Sequence, residues 1–164
     1  MAKSSVPRVL LDSCAVIAWI KVEPEADLLG ELLDLIDAGG AQLVESTFIF
    51  AEVFKPAGPN ETWQPQMDAI QRKVRSKDVI LADVTEPVAR TAAELRLAHT
   101  TVKGMDAIHL ATAVLNRCDW LVTKDRGFPS AVDALQIFDI SRMASSSELP
   151  WVTNSEVTQP VLFA

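Results

Sequence analysis

Tyrosine is absent from the 164 residues, cysteine and histidine occur twice each, and Lys plus Arg number 15 against 22 Asp plus Glu. Each shortage narrows the function. Missing tyrosine removes one common base-stacking residue, and Trp19, Trp63 and Trp120 read as core or interface anchors rather than stacking platforms. Cys14 and Cys118 lie beside apolar runs with no Cys-x-x-Cys spacing, which reads as structural thiols in a reducing compartment. Lone histidines without a second nitrogen or sulfur ligand do not make a metal site, and neither His99 nor His109 is assigned as a general base. A net charge of −7 makes a poor generic nucleic-acid binder, because affinity for phosphate comes from Lys and Arg. Nucleic-acid chemistry here would need metal ions and local basic residues, while the acidic surplus leaves room for a basic protein partner. No apolar run approaches the roughly 20 residues that cross a bilayer, and the N-terminus lacks the long apolar stretch of a signal peptide. The expectation is a cytoplasmic protein with no membrane role. Dinucleotide-binding, phosphate-loop and Gly-x-Ser-x-Gly motifs are also missing.

What is present is an apolar fraction of 49% in a length that suits one domain with a substantial core. Short apolar runs alternate with helical periodicity. Arg8 to Leu11 reads as a strand ending at Asp12, and Ser13 is placed to cap a helix from Cys14 to about Lys21. Pro24 opens a helix carrying Leu28, Leu29, Leu32, Leu33 and Ile36, which Gly39-Gly40 stops. Gln42 to Glu45 is a strand, and the helix holding Glu52 fails at Pro56. After a Pro- and Gly-rich loop come a helix near 62–76, a strand at 79–82 and helices over 86–98 and 105–117. Strands at 120–123 and 135–138 follow, then a Ser- and Pro-rich tail after Ser141. Strands of four or five residues between helices imply a three-layer α/β/α fold around a mostly parallel sheet of about five short strands.

Four acids stand in apolar or small-residue settings: Asp12, Glu52, Asp106 and Asp125. A buried carboxylate is costly unless it is paired, hydrogen-bonded or bound to a metal. Asp12 and Asp125 follow strands, and Glu52 and Asp106 sit in first turns of helices starting near the same edge, which is where ligands bind in parallel sheets. Oxygen ligands of this kind suit Mg²⁺ or Mn²⁺, and metals so held serve phosphoryl displacement. Each acid alone has an innocent reading. Asp12 and Asp125 could form caps or turns, Asp106 could favour a helix N-terminus, and one face of its helix could expose Glu52. Four such coincidences on one rim are less probable than one pocket. Haloacid dehalogenase-type phosphatases need a second Asp where Cys14 stands, and receiver domains need an acidic pair after the first strand, which this chain lacks. Arg72, Lys73, Arg75 and Lys77 read as the basic end of a helix. Lys103, Lys124 and Arg126 lie nearer the acids and are better candidates for phosphate contacts.

The ordered set Leu-Asp-Ser-Cys-Ala-Val-Ile-Ala-Trp, the Glu52 helix, Met-Asp-Ala-Ile-His-Leu-Ala-Thr-Ala and Leu-Val-Thr-Lys-Asp-Arg-Gly-Phe resembles the PIN-domain ribonucleases over roughly residues 8–140. The nearest group in appearance is the VapC-type toxins of type II toxin–antitoxin systems. The resemblance implies a PIN-like nuclease domain over residues 1–141, with an irregular tail over 142–164. It makes Asp12, Glu52, Asp106 and Asp125 catalytic metal ligands, with Ser13 and Thr123 as supporting polar residues. It also implies Mg²⁺- or Mn²⁺-dependent endoribonuclease cleavage of single-stranded RNA, a homodimer, and an antitoxin protein whose tail enters the acidic groove. The alternatives are a housekeeping PIN nuclease in RNA processing and a non-catalytic PIN domain that binds RNA or protein.

Overall fold

The computed structural model describes residues 6–54, 62–143 and 149–151. In chain order the elements are β1 (Arg8–Leu11), α1 (Ser13–Ile20), α2 (Ala26–Asp37), β2 (Gln42–Ser46), α3 (Ile49–Glu52), α4 (Gln64–Val74) and β3 (Ile80–Ala82). Then follow α5 (Glu86–Ala98), α6 (Gly104–Leu115), β4 (Trp120–Thr123), β5 (Ala131–Val132), β6 (Leu135–Asp139) and a 3₁₀ turn at Ile140–Arg142. Six strands form one sheet in the order β3-β2-β1-β4-β6-β5. All neighbours are parallel except the β5–β6 pair.

Strand alternation sorts the core into two layers. Val9, Leu11, Leu43 and Val122 face one side and pack with Val16 of α1, Leu29 and Leu32 of α2, and Met67 and Ile70 of α4. Leu10, Val44, Leu121 and Ile137 face the other and meet Val88 and Ala92 of α5, with Ala107, Leu110 and Ala111 of α6. Sequence neighbours Leu10 and Leu11 therefore serve opposite layers, which is why β1 reads as an unbroken apolar run. The three-layer expectation holds.

The sheet has one more strand than the sequence suggested. Strand β5 has two residues and returns to β6 through Asp133-Ala134, with Asp133 at φ 51°. A two-residue hairpin turn is announced by Asn-Gly or Asp-Gly; Asp-Ala carries no such signal. At the start of α1, Asp12 takes the capping position in place of Ser13, which is the first helical residue, and the Asp12 carboxylate makes no cap bond.

Leu149 and Trp151 are buried in the layer formed by α1, α2 and α4. The Trp151 indole N–H donates to the Leu28 carbonyl of α2 at 3.2 Å, and its ring meets Trp120 at 5.7 Å and Phe138 edge-on at 5.4 Å. The rest of the expected tail, and residues 55–61 of the Pro- and Gly-rich loop, lie outside the described residues. Among the described residues no helix is long and apolar enough to cross a membrane.

Candidate metal centre

From β1 the connections run outward through β2 to β3, then return to β4 on the other side of β1. The reversal leaves a crevice beyond the carboxyl ends of β1 and β4. Asp12 follows β1, and its backbone N–H extends the ladder to the Val122 carbonyl at 2.9 Å. Its side chain is 1% exposed. Oδ2 accepts from the Thr123 hydroxyl at 2.9 Å and from the Cys14 thiol at 2.8 Å. Oδ1 is buried without a partner. An unsatisfied buried carboxylate oxygen costs about 1–3 kcal/mol or more, so the arrangement favours a cation at Oδ1.

Asp125 is fixed from the other side of the crevice. Its N–H donates to Thr123 Oγ1 at 2.9 Å, and its Oδ1 accepts the Gly127 N–H at 2.6 Å. Gly127 is pressed close to the loop between α5 and α6: an added Cβ would lie 2.8 Å from the Thr101 carbonyl oxygen and 3.0 Å from Asp125 Oδ1. The Thr101 hydroxyl donates to the Gly127 carbonyl at 2.7 Å, closing the clip. Asp125 Oδ2 is 3.6 Å from Lys103 Nζ.

Asp106 lies in the first turn of α6. Its carboxyl is pushed above the usual aspartate range by burial first, then by the charges of Asp12 and Asp125 and, more weakly, Glu52, with Lys103 pulling it back. The four acids thus share one electrostatic field. Glu52 ends α3, and its Oε2 lies 2.6 Å from Nε2 of His109, which is fully buried. Among the described residues no three His, Cys, Asp or Glu side chains close tightly enough to hold an ion by themselves. The acids therefore form no finished cage among the described residues. That suits Mg²⁺, which keeps several waters and uses one or two carboxylates with substrate phosphates.

Of the supporting residues, Thr123 is wholly buried between Asp12 and Asp125, whereas the Ser13 side chain makes no hydrogen bond among the described residues. The three basic candidates separate. Lys103 is 77% exposed beside Asp125. Arg126 is exposed and has no ion pair among the described residues. Lys124 is committed elsewhere: its ammonium bonds Glu23 and sits 3.0 Å from Glu25, both in the connection between α1 and α2. It is therefore not a free phosphate contact as the protein stands, because two nearby carboxylates already neutralise it. Lys73 and Lys77 instead line a cleft of about 560 Å³ with Val6, Asp37, Gln42 and Ile80 at the opposite end of the sheet, away from the acids.

Two residues of this region escaped the sequence reading. Glu45, on β2, is 1% exposed; its Oε1 accepts from the Leu11 N–H at 3.3 Å and its Oε2 has no partner. Burial pushes its carboxyl well above the glutamate range; the Leu11 bond opposes this, and the Asp12 charge adds to it. The signal was available, since strand alternation in Leu43-Val44-Glu45 puts Glu45 on the same apolar face as Leu43. Cys14 is half-buried inside the site rather than in the core. Burial, then the Asp12 charge, pushes its thiol up to about 12, so it donates to Asp12 as a thiol.

Comparison with known proteins accords with this fold. The model of the PIN domain family matches residues 9–133. No curated protein matches the chain. Among solved structures, VapBC2 from Rickettsia felis bound to a promoter DNA fragment is similar with a TM-score of 0.58 and 16% identity, covering 79% of this chain and 98% of that one. A toxin–antitoxin complex from Klebsiella pneumoniae gives 0.54 and 21%, covering 77% and 94%. FitAcB from Neisseria gonorrhoeae gives 0.53 and 19%, covering 82% and 99%. With the family model spanning most of its length, the chain belongs to the PIN domain family.

Proposed function

We propose that the chain is a Mg²⁺- or Mn²⁺-dependent endoribonuclease that hydrolyses phosphodiester bonds of single-stranded RNA, acting in the cytoplasm as the toxin of a toxin–antitoxin pair. The observation that carries the reading is the shared field of the four acids, with a buried Asp12 oxygen left unpaired at its edge. Asp12 through Oδ1, Asp106, Glu52 and Asp125 would hold the ion. When bound, a divalent cation makes water a better nucleophile near neutral pH and offsets the charge of the phosphate under attack. Thr123 and Cys14 donate to Asp12 Oδ2 and thereby fix which oxygen is offered. Lys103 and Arg126, exposed near the acids, would meet RNA phosphates on either side of the cut. The nuclease domain would be residues 1–141, with Leu149 and Trp151 of the 142–164 segment packed against it.

Family membership supports nuclease chemistry, and the similar structure from Klebsiella pneumoniae, a toxin–antitoxin complex by name, supports an antitoxin partner. A basic antitoxin segment would complement both the −7 charge and the acidic crevice. A homodimer is part of the proposal. Purified protein should cleave single-stranded RNA with Mn²⁺ or Mg²⁺, stop in EDTA, and lose at least about 100-fold in rate as Asp12→Asn. Cleavage that survives EDTA, or an active Asp12→Asn enzyme, overturns the mechanism. Absence of a small neighbouring reading frame for an antitoxin would shift the role to a housekeeping RNA-processing nuclease.

A further inference from the structure

Glu52 comes from the weakest platform of the four acids. Helix α3 has four residues and Glu52 is its last; one turn of helix orients a side chain poorly, because so short a segment has little stability of its own. The carboxylate is nevertheless pinned at 2.6 Å by His109 Nε2. His109 is three residues after Asp106 on α6, on the neighbouring position of the same helix face. Its ring is fully buried and tilted at 58° against Phe48, with centroids 6.0 Å apart, and Phe48 is the residue that opens α3. One helix thus supplies Asp106 and also holds the acid that must act beside it.

Folding alone does not account for a histidine here. Its Nδ1 is buried without a partner, an unfavourable arrangement that an apolar side chain of similar volume would avoid. A carboxylate only accepts hydrogen bonds, so Nε2 is the donor and Oε2 is consumed. Oε1 remains as the Glu52 oxygen open to a metal. We propose that His109 is the positioning residue for Glu52, holding Oε2 so that Oε1 is presented to a divalent cation. The inference rests on the metal-dependent reading above.

The test is Mn²⁺ binding to the full chain, read by electron paramagnetic resonance of free Mn²⁺ and by calorimetry, alongside RNA kinetics and thermal melting. In His109→Leu, Mn²⁺ affinity should fall about 10–100-fold, as it does when outer partners of metal ligands are removed, while the melting temperature holds or rises. In His109→Gln, an amide N–H reaches the former Nε2 position and affinity should stay within about 3-fold of wild type. In His109→Asn, the shorter amide falls short and affinity should drop again, which keeps the test sharp if the leucine variant fails to fold. The turnover rate should fall in the Leu and Asn variants with KM for RNA unchanged. In a Glu52→Ala background, His109→Leu should change Mn²⁺ affinity by less than about 2-fold, because the two residues act as one unit. Wild-type Mn²⁺ affinity in both His109→Leu and His109→Asn, or full additivity with Glu52→Ala, overturns the assignment. Asp12→Asn separates the two failures: if it loses Mn²⁺ while the His109 variants keep it, only the role of His109 falls. If Asp12→Asn binds Mn²⁺ as wild type does, the metal reading of the site falls with it.

Discussion

The Thr123 hydroxyl donates to Asp12 Oδ2 at 2.9 Å, joining residues 111 apart in sequence across the join between β1 and β4. The Thr123 hydroxyl oxygen in turn accepts the Asp125 N–H at 2.9 Å. One side chain thereby sets two acids against each other, and neither can shift without breaking a buried bond.

Thr123→Val keeps the shape and removes both roles of the hydroxyl. The expected result is about 1–3 kcal/mol of lost stability, since Asp12 Oδ2 and the Asp125 N–H each lose a buried partner. RNA cleavage should fall by about 10–100-fold. Thr123→Ser should recover most of both. Urea unfolding and single-turnover cleavage read the two quantities, and a Val variant equal to wild type in both would remove Thr123 from the account.

Glu45 predicts an unusual pH dependence. Its folded carboxyl is raised above the ordinary glutamate value of 4.5, so the folded state holds a proton that the unfolded chain releases above that value. Stability from this group is fully present below about 4.5 and is lost as pH rises through the window up to its folded value. Glu45→Gln has no such loss. The stability of Glu45→Gln relative to wild type should therefore improve as pH climbs from 5 to 8, measured by urea unfolding in EDTA. A difference that is constant over that range would contradict the buried, raised carboxyl.

Lys124 makes a prediction about RNA binding. Its ammonium is shared between Glu23 and Glu25, and Lys124 in turn pulls the Glu25 carboxyl below the usual range. Replacing both acids by glutamine frees a cation beside Asp125. RNA affinity should tighten at low salt, and the slope of log K against log salt should steepen by about one unit or less. Fluorescence anisotropy on a single-stranded oligonucleotide in EDTA would show it, and an unchanged slope would mean that Lys124 stays away from phosphate even when released.

Much of the fold was legible because its signals are local. The apolar runs of β1, β2 and β4, the Leu28–Ile36 periodicity and the Gly39-Gly40 stop each follow from a short stretch of text, and their helices and strands fall within a few residues of expectation. The topology then brings the four acids into one field without further information. What escaped was pairwise and distant. Strand β5 exists only because β6 is there to pair with it. Lys124 was read from its neighbour Asp125, whereas its partners Glu23 and Glu25 lie about 100 residues away in sequence. Cys14 looked like a core thiol because its run is apolar, yet the turn after β1 swings it onto Asp12. Glu45 is hidden for a different reason: it closes a short strand, and only the pairing of β1 with β2 brings the Leu11 N–H to its carboxyl.

The seal that Trp151 makes on α2 also sets an order of events. Leu28 must wait for a residue 123 positions later before its carbonyl finds the indole N–H. Contacts so distant form late, because the loop must close before the contact rewards it. Until Trp151 has left the ribosome, a nascent chain carries all four acids on a domain with one apolar flank still open. A product cut short after Arg142 would keep every candidate ligand and expose the surface that Leu149 and Trp151 normally cover, a flank prone to sticking to other chains. Leu149 and Trp151 thus decide whether the four acids arrive on a domain with that flank covered or open.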